Sequence, residues 1–390
     1  MSGHVPAAVI GAGPYGLSVA AHLRARGART FGPPMETWRT RMPQDMLLRS
    51  DWHETSFSAP GGDGTIEHFA QATGEPREEP IPVQKFLRYA EWFEATFAGD
   101  VDSSHVASVE RAPGDGFRLT TESGDEIDAG AVIVAVGAVP FAYAPPPLHE
   151  AIGDGVRYAT DQHDYDSYRS RRVVVVGGGQ GGLESAALAA RAGADVELVV
   201  RSQLHWFADR EPHKPRGRLH QRLYRVAYPV VGYGPPPLNR LVLHPDVLAA
   251  LPESVRRRLT ARVLRAGGSP WLRPAMESVQ VTEGVAVDDI DRRNGAVRIT
   301  LSDGSEREAD VIIAAAGFRF DLSRLAFLSP EIRSGIRLDD GWPTLDRWFG
   351  TTERNLFLVG FSAAHRFGPI VRFIPGTRFA APRVRERLER

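Results

Sequence analysis

Two glycine-rich turns carry the chemistry this sequence can support. The first is Gly11-Ala-Gly-Pro-Tyr-Gly16 and the second is Gly177-Gly-Gly-Gln-Gly-Gly182, each preceded by a short apolar run and followed by an Ala/Leu-rich segment. An apolar run passing into such a segment reads as a buried strand passing into a helix. The first glycine permits the tight turn, the second lets the backbone approach a diphosphate, and the third lets helix pack on strand. Unpaired N–H groups at the helix start, with the positive end of its dipole, favour that diphosphate. Two such turns imply two dinucleotide sites. No Ser-His-Asp set, paired carboxylates or metal-ligand spacing is present, and His213, His220 and His365 are dispersed along the chain. Chemistry would therefore come from what the two turns bind.

The elements that must position these turns repeat as well. Residues 117–137 align without a gap on residues 297–317. Each stretch reads as a strand, a turn at Ser123-Gly124 or Asp303-Gly304, a second strand, and a buried strand ending at Gly137 or Gly317. The order of glycine turn, hairpin, buried strand and glycine thus occurs twice, as expected for two units of related plan, one inserted within the other. Between them, residues 139–155 read as a linker marked by Pro145-Pro146-Pro147. Residues 38–52, rich in Trp, Met and Arg, read as an irregular segment covering a ligand, and residues 83–97 as a helix with an aromatic core stripe. The second strand of the first unit, near residues 28–32, is short and stopped by Pro33-Pro34. Residues 194–201 form the second strand of the inserted unit, and residues 202–237 a long polar excursion. Residues 246–266 look like one helix with Arg256, Arg257 and Arg258 on a solvated face. Residues 356–360 are another buried strand, and a closing helix starts near Thr377.

Length and composition narrow the class. With 390 residues, 42% of them hydrophobic, the chain can build two or three domains. A formal net charge of −1 provides no field to gather nucleic acid. The chain contains no cysteine, which removes disulfides, thiolate zinc sites, iron–sulfur clusters and any dithiol active site. The most apolar window, residues 131–147, is broken at Pro140 and Pro145, too soon to span a bilayer. A soluble, cytoplasmic protein without a leader peptide is the expectation.

With these pieces in place, the chain resembles the flavoproteins with two dinucleotide-binding domains. Within them it is similar to the FAD-dependent urate hydroxylase group and the flavin-containing monooxygenases. The likeness runs through both glycine turns, Met35-Glu-Thr-Trp-Arg39, Met46-Leu-Leu-Arg-Ser50, Trp271-Leu-Arg-Pro274, Ala314-Ala-Ala-Gly-Phe318 and the segment from Phe367 to Gly376. It implies an α/β fold of two Rossmann-like, three-layer units, the NADPH domain (156–325) inserted into an FAD domain made of 1–155 and 326–390. Gly11, Gly13 and Gly16 would hold the FAD diphosphate, and Gly177, Gly179 and Gly182 that of the nicotinamide coenzyme. Gly360 would pass the ribityl chain, and the helix opening at Gly376-Thr377 would face the flavin pyrimidine carbonyls. Pro14, Tyr15, Trp38, Arg39, Ser50, Gly137, Gln180 and Gly317 belong to the same carried-over cofactor-binding set. Arg201, where an acid would accept the ribose hydroxyl of NADH, suits the 2′-phosphate of NADPH.

Two positions depart from the family pattern. Gly32 ends the short strand where an acid should grip the adenosine ribose, leaving Glu36, beyond two prolines, at the right count. The Phe-x-Gly-x-x-x-His motif of flavin-containing monooxygenases keeps only His163, with Arg157 and Ala159 at its other positions. The resemblance implies a monooxygenase: NADPH reduces the flavin, a flavin C4a-(hydro)peroxide forms with O2, and one oxygen atom enters a small soluble substrate by hydroxylation or N-oxidation. Arg49, His365, Arg366 and Arg372 are the candidates for its substrate side. No nucleic-acid or membrane partner is expected, and a homodimer stays open. So do two other readings, an NAD(P)H-dependent flavin reductase or oxidase releasing H2O2 and a non-catalytic nucleotide-binding protein.

Overall fold

The computed structural model describes residues 3–153, 155–161, 164–207, 234, 238–293 and 296–390. Its apolar runs form two five-stranded parallel sheets. In the first, Ala8–Ile10 lies between Val132–Val134 and Arg29–Phe31, with Leu356–Leu358 and Val101–Asp102 outermost. In the second, Arg172–Val176 lies between Val311–Ala314 and Asp195–Val200, with Val156–Tyr158 and Gln280–Glu283 outermost. Ala8–Ile10, Val132–Val134 and Val311–Ala314 are buried throughout. Burial on both faces is why they read as unbroken apolar runs instead of alternating ones.

The duplication seen in the sequence is a duplication of structure. Val106–Arg111, Phe117–Thr121 and Glu126–Ala129 pair antiparallel, and so do Val287–Arg293, Ala296–Leu301 and Glu306–Ala309. Each hairpin feeds the strand beside its own glycine turn. The units differ in the source of one outer strand. Val156–Tyr158 precedes its glycine turn, whereas Leu356–Leu358 joins the first sheet only after the second is complete. The second unit is thus inserted into the first. Where the chain passes between them, the Tyr143 amide donates to Gly317 O and the Arg319 amide to Phe141 O, each at 2.9 Å.

The 139–155 stretch between the units holds a short helix at Pro146–Glu150, and Phe141 and Leu148 are buried. Two expectations change. Residues 246–266 are not one helix but two, Pro245–Ala250 and Glu253–Val263. Pro252 disfavours helical backbone at Leu251, whose ψ is 150°. Arg256 is not on a solvated face; it is 9% exposed, and its Nη1 donates to Leu251 O at 3.3 Å. Elsewhere, Val83–Phe93 is helical and buries Phe86, Tyr89 and Phe93 as read. His163, His213 and His220 lie outside the described residues, as does most of the 202–237 excursion. Among the described residues no helix is long and apolar enough to cross a membrane, and no group of three or more acidic or histidine side chains could hold a metal ion.

The helix after the first glycine turn, Pro14–Leu23, is braced by a buried polar chain. His22 Nε2 lies 3.0 Å from Ser58 Oγ, the Ser58 amide donates to Ser18 Oγ at 3.1 Å, and Ser18 Oγ donates to Pro14 O at 2.7 Å. Burial, helped by the charge of Arg385, pushes the His22 imidazole down to about 4. The unfolded chain, with an ordinary histidine near 6.5, therefore binds more protons between those values. His22 contributes fully above about pH 6.5, and its contribution is lost as pH falls through about 4. The loss is at most about 3.5 kcal/mol at ~1.4 kcal/mol per unit. Urea unfolding from pH 7 to 4 is expected to show this decline and His22→Asn, which keeps a partner for Ser58, to flatten it. An unchanged slope in that variant would place the acid sensitivity elsewhere.

Candidate functional site

In open parallel sheets, ligands sit in the crevice beyond the carboxyl ends of the strands. The first sheet has a cavity of about 680 Å³ there. Its wall takes a residue from just past each of four strands: Gly11, Gly32, Gly137 and Gly360. All four have positive φ, between 71° and 109°, so each strand ends in a turn that a side chain would strain.

The glycine turn itself is sterically exact in its demands. A Cβ on Gly16 would stand 1.7 Å from Gly11 O, and one on Gly11 2.7 Å from Ala135 O. A Cβ on Gly13 would meet nothing within 4 Å. Two glycines are thus closed against the protein, and the middle one faces open space where a diphosphate would lie. The second turn repeats the pattern. A Cβ on Gly182 would stand 2.0 Å from Gly177 O, one on Gly177 2.3 Å from Ala315 O, and one on Gly179 meets nothing. Ala135 and Ala315 are matching positions in the duplicated segments, so the sequence repeat carries the closure of both turns.

The carried-over residues fall into two groups. Pro14, Tyr15, Glu36 and Trp38 line the cavity with Gly11, Gly13, Gly137 and Gly360. Glu36 reaches the wall because Met35, at φ 55°, turns the chain after the two prolines into the short helix Glu36–Thr40; His105 Nε2 lies 3.2 Å from its Oε1. The Tyr15 hydroxyl donates to Val371 O at 2.7 Å and Phe373 O at 3.0 Å, fastening the return segment to the glycine turn. Burial pushes its phenol well above the ordinary range, so it remains a donor. A Cβ on Gly376 would stand 2.1 Å from that hydroxyl. Gly376 and Thr377 themselves lie behind the cavity wall, fully packed. Arg39 turns outward to Glu91, and Ser50 Oγ lies 2.9 Å from Thr55 Oγ1.

Of the four substrate-side candidates, Arg372 lines the cavity. His365 stacks on Trp342, with ring centroids 6.0 Å apart, and burial lowers its imidazole pKa. Arg366 lies over the Phe367 ring, and Arg49 over that of Phe207 at 4.2 Å.

At the second turn, Gln180 faces inward. Its Oε1 accepts from both the amide and hydroxyl of Ser269 at 2.9 Å, and its Nε2 donates to Glu184 Oε1 at 2.8 Å. Burial pushes the Glu184 carboxyl up to about 7, with Gln180 and the charge of Arg49 pulling the other way. Glu184 and Ser269 were missed in the sequence. The i, i+4 spacing of Gln180 and Glu184 was available as a signal; the contact with Ser269 was not. Arg201 is exposed at the end of Asp195–Val200 and Gly317, at φ 90°, follows Val311–Ala314.

Comparison with known proteins gives the chain a family and relatives of the same fold. A family model described as pyridine nucleotide-disulphide oxidoreductase matches residues 8–225. The chain is 28% identical over 386 residues to the indole-3-pyruvate monooxygenase YUCCA1 of Oryza sativa subsp. japonica, covering 92% of this chain and 87% of the relative. Over 101 residues it is 34% identical to a ferredoxin–NADP reductase of Ralstonia pickettii, covering 25% and 28% of the two chains. Among solved structures, the ornithine N-hydroxylase of Kutzneria sp. 744 superposes with a TM-score of 0.77 at 15% identity, covering 99% of both chains. A flavin-containing monooxygenase from Stenotrophomonas maltophilia gives 0.66 at 18% identity, covering 99% of this chain and 98% of that one.

Proposed function

We propose, from the premise that the chain belongs to the pyridine nucleotide-disulphide oxidoreductase family, that it is an FAD- and NADPH-dependent monooxygenase acting on a small soluble substrate. The observation that carries this reading is the duplicated glycine turn, closed at two positions and open at the middle one, with a cavity of about 680 Å³ running from the first of them along four strand ends. The full-length likeness to a monooxygenase supports it. The absence of cysteine leaves this member of the family without a dithiol to reduce.

FAD, when bound, supplies the hydride acceptor and the activation of O2. The chain's own residues bind, orient and exclude water. Gly11, Gly13 and the start of Pro14–Leu23 would hold the FAD diphosphate, Glu36 the adenosine ribose, and Gly137 and Gly360 would back the remainder. The aromatic wall of Phe318, Phe361 and Phe373 would keep water from the reacting end. Gly177, Gly179 and the start of Gln180–Arg191 would hold the NADPH diphosphate. On this reading the FAD domain comprises 1–155 and 326–390, and the NADPH domain 156–325.

Arg201 sets the choice of coenzyme. A charge-assisted bond to the 2′-phosphate is worth about 1.5–3 kcal/mol, roughly ten- to over a hundredfold. Arg201→Ala is expected to raise KM for NADPH by that factor and leave KM for NADH nearly unchanged; equal losses for both would remove Arg201 from the site. The whole reading is tested by loading the protein with FAD and following NADPH consumption against H2O2 release across candidate amines and aromatic acids. A substrate that raises NADPH consumption while suppressing H2O2 supports the monooxygenase. Stoichiometric H2O2 with every compound would favour the oxidase reading instead.

A further inference from the structure

The cavity wall carries several charged side chains, and all but one are compensated or exposed. Arg41 pairs with Asp161 at 2.6 Å, Glu36 has His105, and Arg324 is exposed. Arg372 differs. Its guanidinium lies 4.9 Å from the centroid of the Phe361 ring, and among the described residues it has no carboxylate partner. Burial alone depresses its pKa, with no opposing acid. A guanidinium cannot shed its proton to escape such a site, and a half-buried cation without a partner pays for its lost hydration. Its backbone is fixed as well, since the Tyr15 hydroxyl bonds the carbonyls on either side, Val371 and Phe373. The fold therefore holds a positive charge against the cavity on an anchored backbone, with no anion for it among the described residues.

The strand order says which part of a bound dinucleotide that charge meets. Along the crevice the strand ends run Leu356–Leu358, Val132–Val134, Ala8–Ile10, Arg29–Phe31. Gly360 and Gly11 are thus two strand spacings apart, roughly 10 Å. Phe361, beneath Arg372, packs on Phe141, Phe318 and Trp342 with centroids 5.5 to 6.0 Å apart. Arg372 accordingly sits on the aromatic wall over Phe361, on the Gly360 side of the crevice, with Tyr15 of the first turn bonded to the carbonyls on either side of it.

We propose that Arg372 is the fixed counter-charge for the flavin ring, favouring its reduced, negatively charged form over the oxidised, neutral one. The assignment rests on the FAD reading above. Charge beside the ring is one of the few means a protein has to tune flavin electronics, and a partly buried charge is screened less than an exposed one.

The test uses the FAD-loaded protein and its Arg372→Met and Arg372→Lys variants, without substrate. Dye-coupled reduction measures the two-electron equilibrium, and a pH titration of the reduced spectrum measures where the reduced flavin ionises. Arg372→Met is expected to shift the equilibrium toward oxidised flavin at least tenfold, about 30 mV for two electrons, and to raise the ionisation by at least one pH unit. Arg372→Lys should recover most of both shifts. An unchanged equilibrium in Arg372→Met overturns the proposal, and if KM for an anionic substrate then rises, the charge serves the substrate. A folded Arg372→Met protein that no longer takes up oxidised FAD also overturns it, since the charge then grips the coenzyme in either state. Should the Met variant not fold, Arg372→Gln against Arg372→Lys reads the same two quantities. Wild-type protein that takes up no FAD refutes the underlying reading before any variant is made.

Discussion

Gly16→Ala is expected to give a protein that retains its second unit and carries almost no flavin. The added methyl would sit 1.7 Å from Gly11 O and 2.8 Å from Gly11 C, where real contacts essentially never fall below 3.0 Å. Gly11 cannot retreat, because its own Cβ position is already 2.7 Å from Ala135 O. The displacement must go into the start of Pro14–Leu23, taking the free N–H groups and Tyr15 with it. Tyr15 would then lose its bonds to Val371 and Phe373, so the return segment loosens too. Overpacking typically costs about 1–3 kcal/mol, and a backbone obstacle places this case at the upper end. FAD affinity should fall roughly a hundredfold or more, at ~1.4 kcal/mol per tenfold. Absorbance of flavin per protein after gel filtration, with circular dichroism as the check on folding, reads the outcome. A variant with full flavin content would show that the first turn does not hold the coenzyme.

That argument was largely available in the sequence, because the demand is local. A strand, a turn and a helix separated by six residues must pack the same way wherever they occur, so Gly11, Gly13 and Gly16 could be assigned parts without tertiary information. The repeat of residues 117–137 at 297–317 revealed the hairpins, the buried strand beside each glycine turn and the insertion for a similar reason. Burial of a strand on both faces survives in the sequence as an unbroken apolar run. Side-chain direction did not survive in this way. Arg39 and Trp38 are adjacent in a helical turn, yet Trp38 faces the cavity and Arg39 pairs with Glu91. Arg256 looked like its neighbours Arg257 and Arg258 until the break at Pro252 set it against Leu251 O. Gln180 looked like a ligand-facing residue, but it is committed to Ser269, which lies 89 positions away. Arginine is the hardest case, since its meaning depends on whether an acid stands beside it. Arg41 has one and Arg372 has none among the described residues, a difference no spacing along the chain records.

Gly182→Ala is expected to give the complementary protein, yellow and folded but unresponsive to NADPH. Its Cβ would stand 2.0 Å from Gly177 O and 3.4 Å from the Ala315 Cβ, and Gly177 is itself held with its Cβ position 2.3 Å from Ala315 O. The obstruction therefore displaces the start of Gln180–Arg191, where Gln180 ties the helix to Ser269 and bonds Glu184 one turn further along it. The N–H groups meant for the second diphosphate lose their alignment, while the first sheet, with its own turn and hairpin, is untouched. Flavin content should match wild type, and dithionite should still bleach it. The rate of flavin reduction by NADPH at concentrations saturating for wild type should drop roughly a hundredfold. Because Gly16→Ala abolishes the coenzyme at one end and Gly182→Ala its reduction at the other, the pair separates the two sites functionally. If Gly182→Ala were reduced by NADPH at the wild-type rate, the nicotinamide coenzyme would have to dock elsewhere, and the second glycine turn would be a structural duplicate without a ligand.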